Sequence, residues 1–402
     1  MYRSVLARVP QHPVALNALG MQALRDADFT TAIEMFGRAA AADPDAGPLW
    51  LNLATAHRSS GDDAGERAAL DRALALDQRD LMANLRLAEL LDRQGEPVGA
   101  IQRWQGIAQM LQGAPDRTAG LDQILDRARA RLAEHAATMG SEIDAGLAAV
   151  RSAVDAPDRR RFDACVDAML GRRAIYINEC HGMRYPFLPA DEFFDRRHFD
   201  WMADVEAKTD AIRAELEALV EAQHPGFRPY VELEPGTPEN KWSPLDHKLD
   251  WTALYLWKYG VRDDEICERC PVTASVLDMV PRADMPGRAP TAFFSVLQPG
   301  ARLPAHTGVS NVRAIVHLPL VVPPGCGFRV GGETREWKVG KAFAFDDTIE
   351  HEAWNNSDKP RSILIFDVWN PHLTAAERDM LRTLFRVTTG RDEFGQALAV
   401  AE

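Results

Sequence analysis

The chain has 402 residues, a formal net charge of −13 at pH 7 and a pI near 5.4. This length is enough for two or three domains, each with a core of its own. The acidic balance argues against nucleic acid or an anionic membrane as the main partner.

The ends and the cysteines favour a reducing compartment. The start, MYRSVLARVPQHP, lacks the apolar core and cleavage site of a signal peptide, and no run approaches the 18 apolar residues that a membrane span needs. Five cysteines are an odd number, which fits reduced thiols better than a disulfide framework. The CERC motif at 267–270 has no second pair to complete a tetrahedral zinc site. We therefore predict a cytoplasmic protein with structural thiols.

Residues 1–113 repeat with a period of 34. At this step the superposed positions are LNALG at 16–20, WLNLA at 50–54 and NLRLA at 84–88, and likewise Ala27, Gly61 and Gly95, and Phe36, Leu70 and Trp104. The period resembles the tetratricopeptide repeat, a pair of antiparallel helices per unit that usually offers a concave face to a partner. The alternative is a stack of amphipathic helices with no binding role. Residues 2–8 resemble the second helix of a unit whose first helix is missing, so we expect a truncated start.

The middle of the chain is predicted to be helical and then stranded. Residues 114–170 predict long helices that cap the repeats and link them to the next domain. Residues 199–223 have apolar residues at helical spacing. Between 224 and 290 lies a strand-like region whose aromatics are predicted to be core: Trp242, Trp251, Trp257 and Tyr259. Near the C-terminus, TAAERDMLRTLFRVTTG at 374–390 predicts a helix that packs across the strands.

Residues 294–371 alternate apolar and polar residues over short runs broken by Gly, Pro and Asn. This pattern is typical of strands in a sandwich or barrel. Three polar landmarks lie among the strands, namely His306, His351 and Arg361. Two histidines from separate strands followed by an arginine suggest a metal held beside an anionic co-substrate.

Several motifs in this region closely resemble the catalytic domain of the aspartyl/asparaginyl β-hydroxylase family. They are HTGVSNVRAIVHLPL, GETREWKVGKAFAFDDTIEHEAWN and ILIFDVWNP, with YPFLPADEFFDRRHF and CPVTASVLDMVP upstream, over roughly residues 170 to 380. The resemblance implies an iron(II)- and 2-oxoglutarate-dependent oxygenase built on a double-stranded β-helix of the jelly-roll type. We therefore expect an α+β multidomain chain with repeats at 1–113, a helical linker at 114–170 and an oxygenase domain at 171–402.

The resemblance implies that His306 and His351 are the iron ligands and thus the catalytic residues. A carboxylate is usual two residues after the first histidine, but Gly308 stands there. Members of the family also have glycine there, and water completes their metal shell. Four acids near His351 are candidate substitute ligands: Asp346, Asp347, Glu350 and Glu352. Since strand residues alternate faces, the two glutamates are expected to point away from the metal.

The co-substrate contacts follow from the same resemblance. Arg361 takes the position of the family arginine that binds the distal carboxylate of 2-oxoglutarate, which suits a planar guanidinium, and Ser295 is its hydroxyl helper. The family also has an arginine and a histidine, two apart, for the other carboxylate. Here His317 is retained, but the arginine position is Ile315. Arg313 lies two residues earlier and aligns with a family arginine assigned nearer the substrate.

The function implied is hydroxylation of an unactivated carbon with 2-oxoglutarate and O₂, on the β-carbon of Asp or Asn in a peptide or protein recruited partly by the repeats. One alternative keeps the chemistry and takes a lipid acyl chain or a small or carrier-bound amino acid. Another is a non-catalytic repeat scaffold with a degenerate oxygenase fold, which Gly308 and Ile315 favour. Retention of both iron histidines, His317 and Arg361 favours the enzyme.

Overall fold

The computed structural model describes residues 2–388. The chain forms two compact units that divide between Asp155 and Ala156. Residues 389 and 390 of the predicted C-terminal helix lie outside the described residues, as does the rest of the chain to 402.

The first unit consists of helices. They are α1 (Tyr2–Leu6), α2 (Pro13–Arg25), α3 (Phe29–Ala42), α4 (Gly47–Ser60), α5 (Asp63–Leu76), α6 (Leu81–Gln94), α7 (Pro97–Gln112) and α8 (Ala119–Ser152). The starts of α2, α4 and α6 lie 34 residues apart, and so do those of α3, α5 and α7. The predicted period of 34 is therefore confirmed as three successive helix pairs.

The turn inside each helix pair needs one residue in the left-handed region. Gly61 and Gly95 take this conformation after α4 and α6, with φ of 78° and 68°. Ala27, which aligns with them, has φ of 55°. A Cβ in this region costs about 1–2 kcal/mol, whereas glycine has none. The first turn is therefore strained where the second and third are not.

Matched positions of the repeat also build its core. Phe36, Leu70 and Trp104 are all buried in one apolar cluster that extends through the unit. Gly20 lies against the ring of Phe36, so closely that an added Cβ would overlap it. Small residues on the first helix of a pair therefore make room for the large residue on the second.

The second unit combines helices with two sheets. Its helices are α9 (Ala156–Met169), α10 (Met202–Glu206), α11 (Thr209–Glu221), α12 (Asp264–Arg269), α13 (Pro271–Met279) and α14 (Ala375–Thr388). Its strands are β1 (Arg228–Pro229), β2 (Trp251–Lys258), β3 (Val261–Arg262), β4 (Ala292–Leu297), β5 (Arg302–His306), β6 (Arg313–Val321), β7 (Cys326–Val330), β8 (Glu333–Glu336), β9 (Phe343–Phe345), β10 (His351–Asn355) and β11 (Arg361–Trp369).

All strand pairs in the two sheets are antiparallel. The larger sheet has the order β1-β2-β4-β11-β6-β9, with β3 paired to β2, and the smaller has the order β5-β10-β7-β8. Strands that are consecutive in sequence thus alternate between the sheets in places, as β4, β5 and β6 do. The predicted order of a helical unit followed by a domain of β-strands is confirmed, and the strands form antiparallel sheets.

The two faces of the larger sheet bury different partners. On one face, Leu254, Leu364 and Phe366 pack with apolar residues of α10 to α13. On the other face, a second cluster joins the larger sheet to the smaller one, and its members include Trp251, Leu297, Ile363, Phe328, Val330 and Ala353. Residues along β11 alternate between these clusters, as the period of a strand requires. The face toward the smaller sheet, which we call the inner face, also carries the candidate site.

Two predictions about the second unit were wrong in detail. Residues 199–223 are not one helix. Helix α10 ends at Glu206, and the N–H of Lys208 then bonds the carbonyl of Val205 three residues back, where a continued α-helix would use the carbonyl four residues back. Tyr259 is not a core residue. It is 40% exposed and has φ of 51° in the turn from β2 to β3, where its side chain points to solvent.

No helix within residues 2–388 has the length and apolar character that a membrane crossing requires.

Candidate active site

His306 and His351 lie directly opposite each other on neighbouring strands. His306 ends β5 and His351 begins β10, and the two are register partners whose ring centroids are 4.0 Å apart. The next pair joins Ala353 to Leu303, so β5 has one more residue than β10 over this stretch. This bulge changes the phase of β5, and Leu303 and His306 both face the inner side although they are three residues apart.

Backbone carbonyls fix the tautomer of both rings. His306 Nδ1 lies 2.7 Å from the carbonyl oxygen of Pro304, and His351 Nδ1 lies 3.0 Å from that of Ile349. A carbonyl only accepts, so each Nδ1 carries the hydrogen and each Nε2 keeps a lone pair. Burial lowers the pKa of His306 to about 4 and that of His351 well below its ordinary value, so both rings are neutral at pH 7. Two neutral imidazoles this close fit a shared divalent metal ion.

In the part of the chain that the structure describes, no third protein ligand joins the two histidines. No group of three or more His, Cys, Asp or Glu in residues 2–388 is arranged to hold a metal. A Cβ at Gly308 would overlap the carboxylate of Asp347, so a side chain there has no room. Glu350 and Glu352 both bind Arg329, which lies on the outer face of β7. The two glutamates therefore point away from the histidines, as strand alternation predicts.

Arg361 is a buried cation that has no anionic partner within residues 2–388. It begins β11, is 1% exposed, and its Nε and Nη1 atoms have no hydrogen-bond partner among the described residues. Burial lowers its pKa to about 10, which leaves it charged at pH 7. An unpaired buried charge is strongly destabilising, by several kcal/mol. The position therefore fits an anion that the protein itself does not supply.

Ser295 lies on β4, the strand next to Arg361. Its register partner on β11 is Ile363, which lies two residues after Arg361 and on the same face. The Oγ of Ser295 accepts a hydrogen bond from Trp251 Nε1 at 3.0 Å. With that lone pair taken, the hydroxyl hydrogen is free to donate. Ser295 is thus placed on the same inner face as Arg361 with a donor to offer.

His317, on β6, lies between the histidine pair and Arg361. Its imidazole is buried. It interacts electrostatically with Arg361 on one side and with His351 on the other. Burial, followed by the charge of Arg361, lowers its pKa well below the ordinary value. Aromatic rings surround it, with Phe328 and Phe345 at centroid distances of 5.1 and 4.8 Å. The structure thus brings together His306, His351, His317, Ser295 and Arg361 on one inner face.

Arg313 faces the same side of β6 but is paired with acids. Its guanidinium lies 3.4 Å from Asp367 and 3.8 Å from Asp347. Burial raises the pKa of Asp367 to about 7, against the opposing effect of Arg313. Ile315 stands between Arg313 and His317, opposite Asp367 and Phe345 on the neighbouring strands. The apolar side chain of Ile315 therefore lies between Arg313, which is ion-paired, and the part of the inner face that carries His317 and Arg361.

Sequence reasoning missed two residues of the site and misplaced a third. Asp367 is an acid inside the apolar run ILIFDVW, and a charge in a buried strand is itself an indication of a partner or a site. Trp337 was not singled out, and no pattern in its polar surroundings distinguishes it. Trp242, predicted as core, packs edge-on against His306 at 4.8 Å.

The two thiols of the CERC motif are buried beside the helices, away from the histidines. Cys267 and Cys270 are 2% and 0% exposed, in the apolar cluster on the helical face of the larger sheet. Burial raises their pKa values to about 11 and 12. Both are therefore protonated at pH 7, and their placement suits packing and not metal binding.

Comparison with known proteins points to one family for this domain. Residues 206–371 match the model of the family described as Aspartyl/Asparaginyl beta-hydroxylase. The human aspartyl/asparaginyl beta-hydroxylase is 38% identical over 34% of this chain and 18% of its own length. The ornithine lipid ester-linked acyl 2-hydroxylase of Rhizobium tropici is 33% identical over 48% of this chain and 66% of its own length. The chain thus spans less than two thirds of each of these relatives.

Among solved structures, the Sgt2 TPR domain from Aspergillus fumigatus aligns with 31% of this chain and 80% of its own, at 19% identity and a TM-score of 0.27. The matched segment at 206–371 contains both histidines of the pair, His317, Ser295 and Arg361. The segment that contains these residues therefore matches the aspartyl/asparaginyl beta-hydroxylase family.

Proposed function

We propose that the second unit is an iron(II)- and 2-oxoglutarate-dependent hydroxylase built on a double-stranded β-helix. The observation that carries the proposal is the pairing of His306 with His351 on the same inner face as the unpaired Arg361. The histidines offer two neutral nitrogen donors, and the arginine offers a charge that lacks an anion. A metal ion and a dicarboxylate satisfy both features together.

Each residue has a role in this proposal. His306 and His351 hold the metal through Nε2, and water takes the position that a carboxylate at Gly308 would fill. Arg361 and Ser295 bind the distal carboxylate of 2-oxoglutarate, and His317 lies along the path between them and the metal. When bound, iron(II) and 2-oxoglutarate supply the oxidising power for hydroxylating an unactivated carbon with O₂, and succinate and CO₂ are the by-products.

The protein itself orients the bound groups and excludes water from the site. Phe328, Phe345 and Trp337 are all buried around His317 and exclude water from the space between the sheets. A dry site strengthens the interaction of Arg361 with a carboxylate. Arg313 is proposed to lie nearest the substrate, with its charge held in place by Asp367 and Asp347.

The substrate we propose is an Asp or Asn residue in a peptide or protein. The name of the human relative supports this class, since that protein is an aspartyl/asparaginyl beta-hydroxylase. We also propose that the helix pairs of the first unit recruit the substrate chain. Asn17 and Asn52 lie side by side on α2 and α4, joined by a hydrogen bond of 2.9 Å, and amide side chains of this kind suit the backbone of an extended peptide.

A second candidate keeps the chemistry and changes the substrate to a lipid acyl chain. The relative from Rhizobium tropici supports it, because that protein is named as a lipid acyl hydroxylase and aligns over the longer stretch. A small or carrier-bound amino acid is a further alternative in the same reaction class.

A non-catalytic scaffold is the alternative from another class. It fits poorly with Arg361, because a chain that binds no anion would gain several kcal/mol by losing this unpaired buried charge. We propose the cytoplasm as the location. Its support is that all five cysteines are free thiols, as is usual in a reducing compartment.

Anaerobic titration of the metal-free protein with Fe(II) and 2-oxoglutarate tests the function. We expect the visible absorption band of an iron-chelated keto acid in the wild type and none in His351→Ala. Absence of both iron binding and the band in the wild type would refute the oxygenase and leave the scaffold. Succinate formation with Asp- or Asn-containing peptides, compared with acyl lipids, then separates the two substrate classes.

A further inference from the structure

Three neighbouring side chains in the site have buried nitrogens without a partner. Among the described residues, no hydrogen bond reaches Nε and Nη1 of Arg361, Nδ1 of His317 or Nε1 of Trp337. All three side chains are more than nine-tenths buried, with exposures of 1%, 6% and 7%. Buried polar groups are nearly always paired, so several orphans in one place indicate a missing partner.

The three side chains form one contact group. The ring of Trp337 stacks on that of His317, with centroids 5.3 Å apart and planes inclined by 14°. The guanidinium carbon of Arg361 lies 5.0 Å from the centroid of the Trp337 ring. The side chains that carry the orphaned nitrogens therefore lie against one another in one part of the site.

Charge identifies that group as an anion with several oxygens. Arg361 is charged, and within residues 2–388 no Asp or Glu forms an ion pair with it. The indole N–H of Trp337 only donates, so it needs an acceptor too. A carboxylate has two oxygens and about four lone-pair sites, which is enough for Arg361, Ser295 and one further donor.

We propose that Trp337 is a co-substrate-binding residue whose Nε1–H donates to the same carboxylate that Arg361 holds. The proposal rests on the proposed function and adds to it a third donor for the distal carboxylate. It explains why an indole, and not a phenyl ring, fills the space beside His317. The neighbouring rings of Phe328 and Phe343, with centroids 5.3 and 5.5 Å from that of Trp337, carry no such donor.

Calorimetric titration of the full-length Mn(II)-loaded protein without O₂ tests the proposal. The variant is Trp337→Phe, which keeps a ring against His317 and removes the N–H. We expect the Kd for 2-oxoglutarate to rise about tenfold, as for the loss of one buried hydrogen bond to a charged group. The Kd for Mn(II) alone is expected to stay within twofold, because the histidine pair is untouched.

Trp354→Phe is the matched control, since this indole lies on the outer face of β10 against Gly327. Unchanged 2-oxoglutarate binding in Trp337→Phe would overturn the inference and leave the proposed function intact. So would an equal loss of Mn(II) affinity, which would make Trp337 a structural residue, or an equal effect of Trp354→Phe. A wild-type protein that binds no 2-oxoglutarate would overturn both proposals.

Discussion

Asp346 shows how a single buried acid links the site to its surroundings. Its carboxylate accepts hydrogen bonds from Asn178 at 2.7 Å and from the backbone and hydroxyl of Thr348 at 3.0 and 2.6 Å. Asn178 belongs to the segment before the first strand, and Thr348 lies three residues before His351. The network therefore fixes the loop that leads into β10.

This acid predicts a pH-dependent stability. Burial raises the pKa of Asp346 to about 7, against about 3.9 in an unfolded chain. The folded state thus holds the proton more tightly, and the stability tied to it is complete below pH 4 and lost as the pH rises through 7. Asp346→Asn cannot ionise, so the difference in unfolding free energy, variant minus wild type, should rise by up to about 1.4 kcal/mol per pH unit in this window.

Urea unfolding of both proteins at several pH values from 4 to 8 measures that difference. All other titrating groups are common to the two proteins, so the difference isolates Asp346. Two parallel stability curves would show that the acid is already ionised in the folded state at low pH.

At the scale of elements, helix α13 depends on a residue from another helix. Its N-cap position, Cys270, gives no side-chain hydrogen bond. The carboxylate of Glu215 on α11 supplies it instead, accepting from the backbone of Val272 at 2.7 Å and from the backbone and hydroxyl of Thr273 at 2.9 and 2.6 Å. A negative charge at a helix N-terminus is stabilising and satisfies amides that the helix leaves unpaired.

Loss of this cap should lower the unfolding free energy of the protein. Glu215→Ala removes all three hydrogen bonds and leaves half-buried N–H groups unpaired, so we expect a loss of about 2 kcal/mol in unfolding free energy. The measurement is denaturant unfolding followed by circular dichroism. Glu217→Ala, at an exposed position of the same helix, is the control and should cost less than about 0.5 kcal/mol. A similar small cost for both variants would contradict the capping role.

The elements that sequence predicts well are those with a long, regular pattern. The 34-residue step gives the three helix pairs because it is set by repeated contacts such as Phe36, Leu70 and Trp104. The break between α10 and α11 was missed because apolar spacing continues across it, whereas the backbone changes to a three-residue hydrogen-bond step at Lys208. The candidate site residues were predicted through motif resemblance, whereas the place of Trp337 depends on contacts between residues that are far apart in sequence.

At the scale of the whole molecule, each unit has apolar clusters of its own. One cluster runs through α2 to α8, and the clusters of the second unit surround its sheets. A unit with its own core has the means to unfold cooperatively. We therefore expect two transitions in a calorimetric scan of the full chain.

Three perturbations should assign those transitions. Ala27→Gly relieves the left-handed strain before α3 and should stabilise the first unit by about 0.5–1 kcal/mol, after the entropic cost of glycine. Mn(II) with 2-oxoglutarate should raise only the melting temperature of the second unit, because ligands stabilise the state that binds them. The reverse exchange, Gly61→Ala, should lower the first transition. A single transition that all three changes move together would contradict this division.

The bulge in β5 has a consequence for which deletions this strand tolerates. In a regular strand Leu303 and His306 would face opposite sides, because they are three residues apart, and the bulge takes up one residue so that both face inward. Deletion of one residue between them would leave a spacing of two, at which regular alternation also places both side chains on the inner side. The orientation of the His306 imidazole is thus independent of the bulge, and a related chain with a spacing of either two or three from this leucine to its histidine keeps the histidine facing inward.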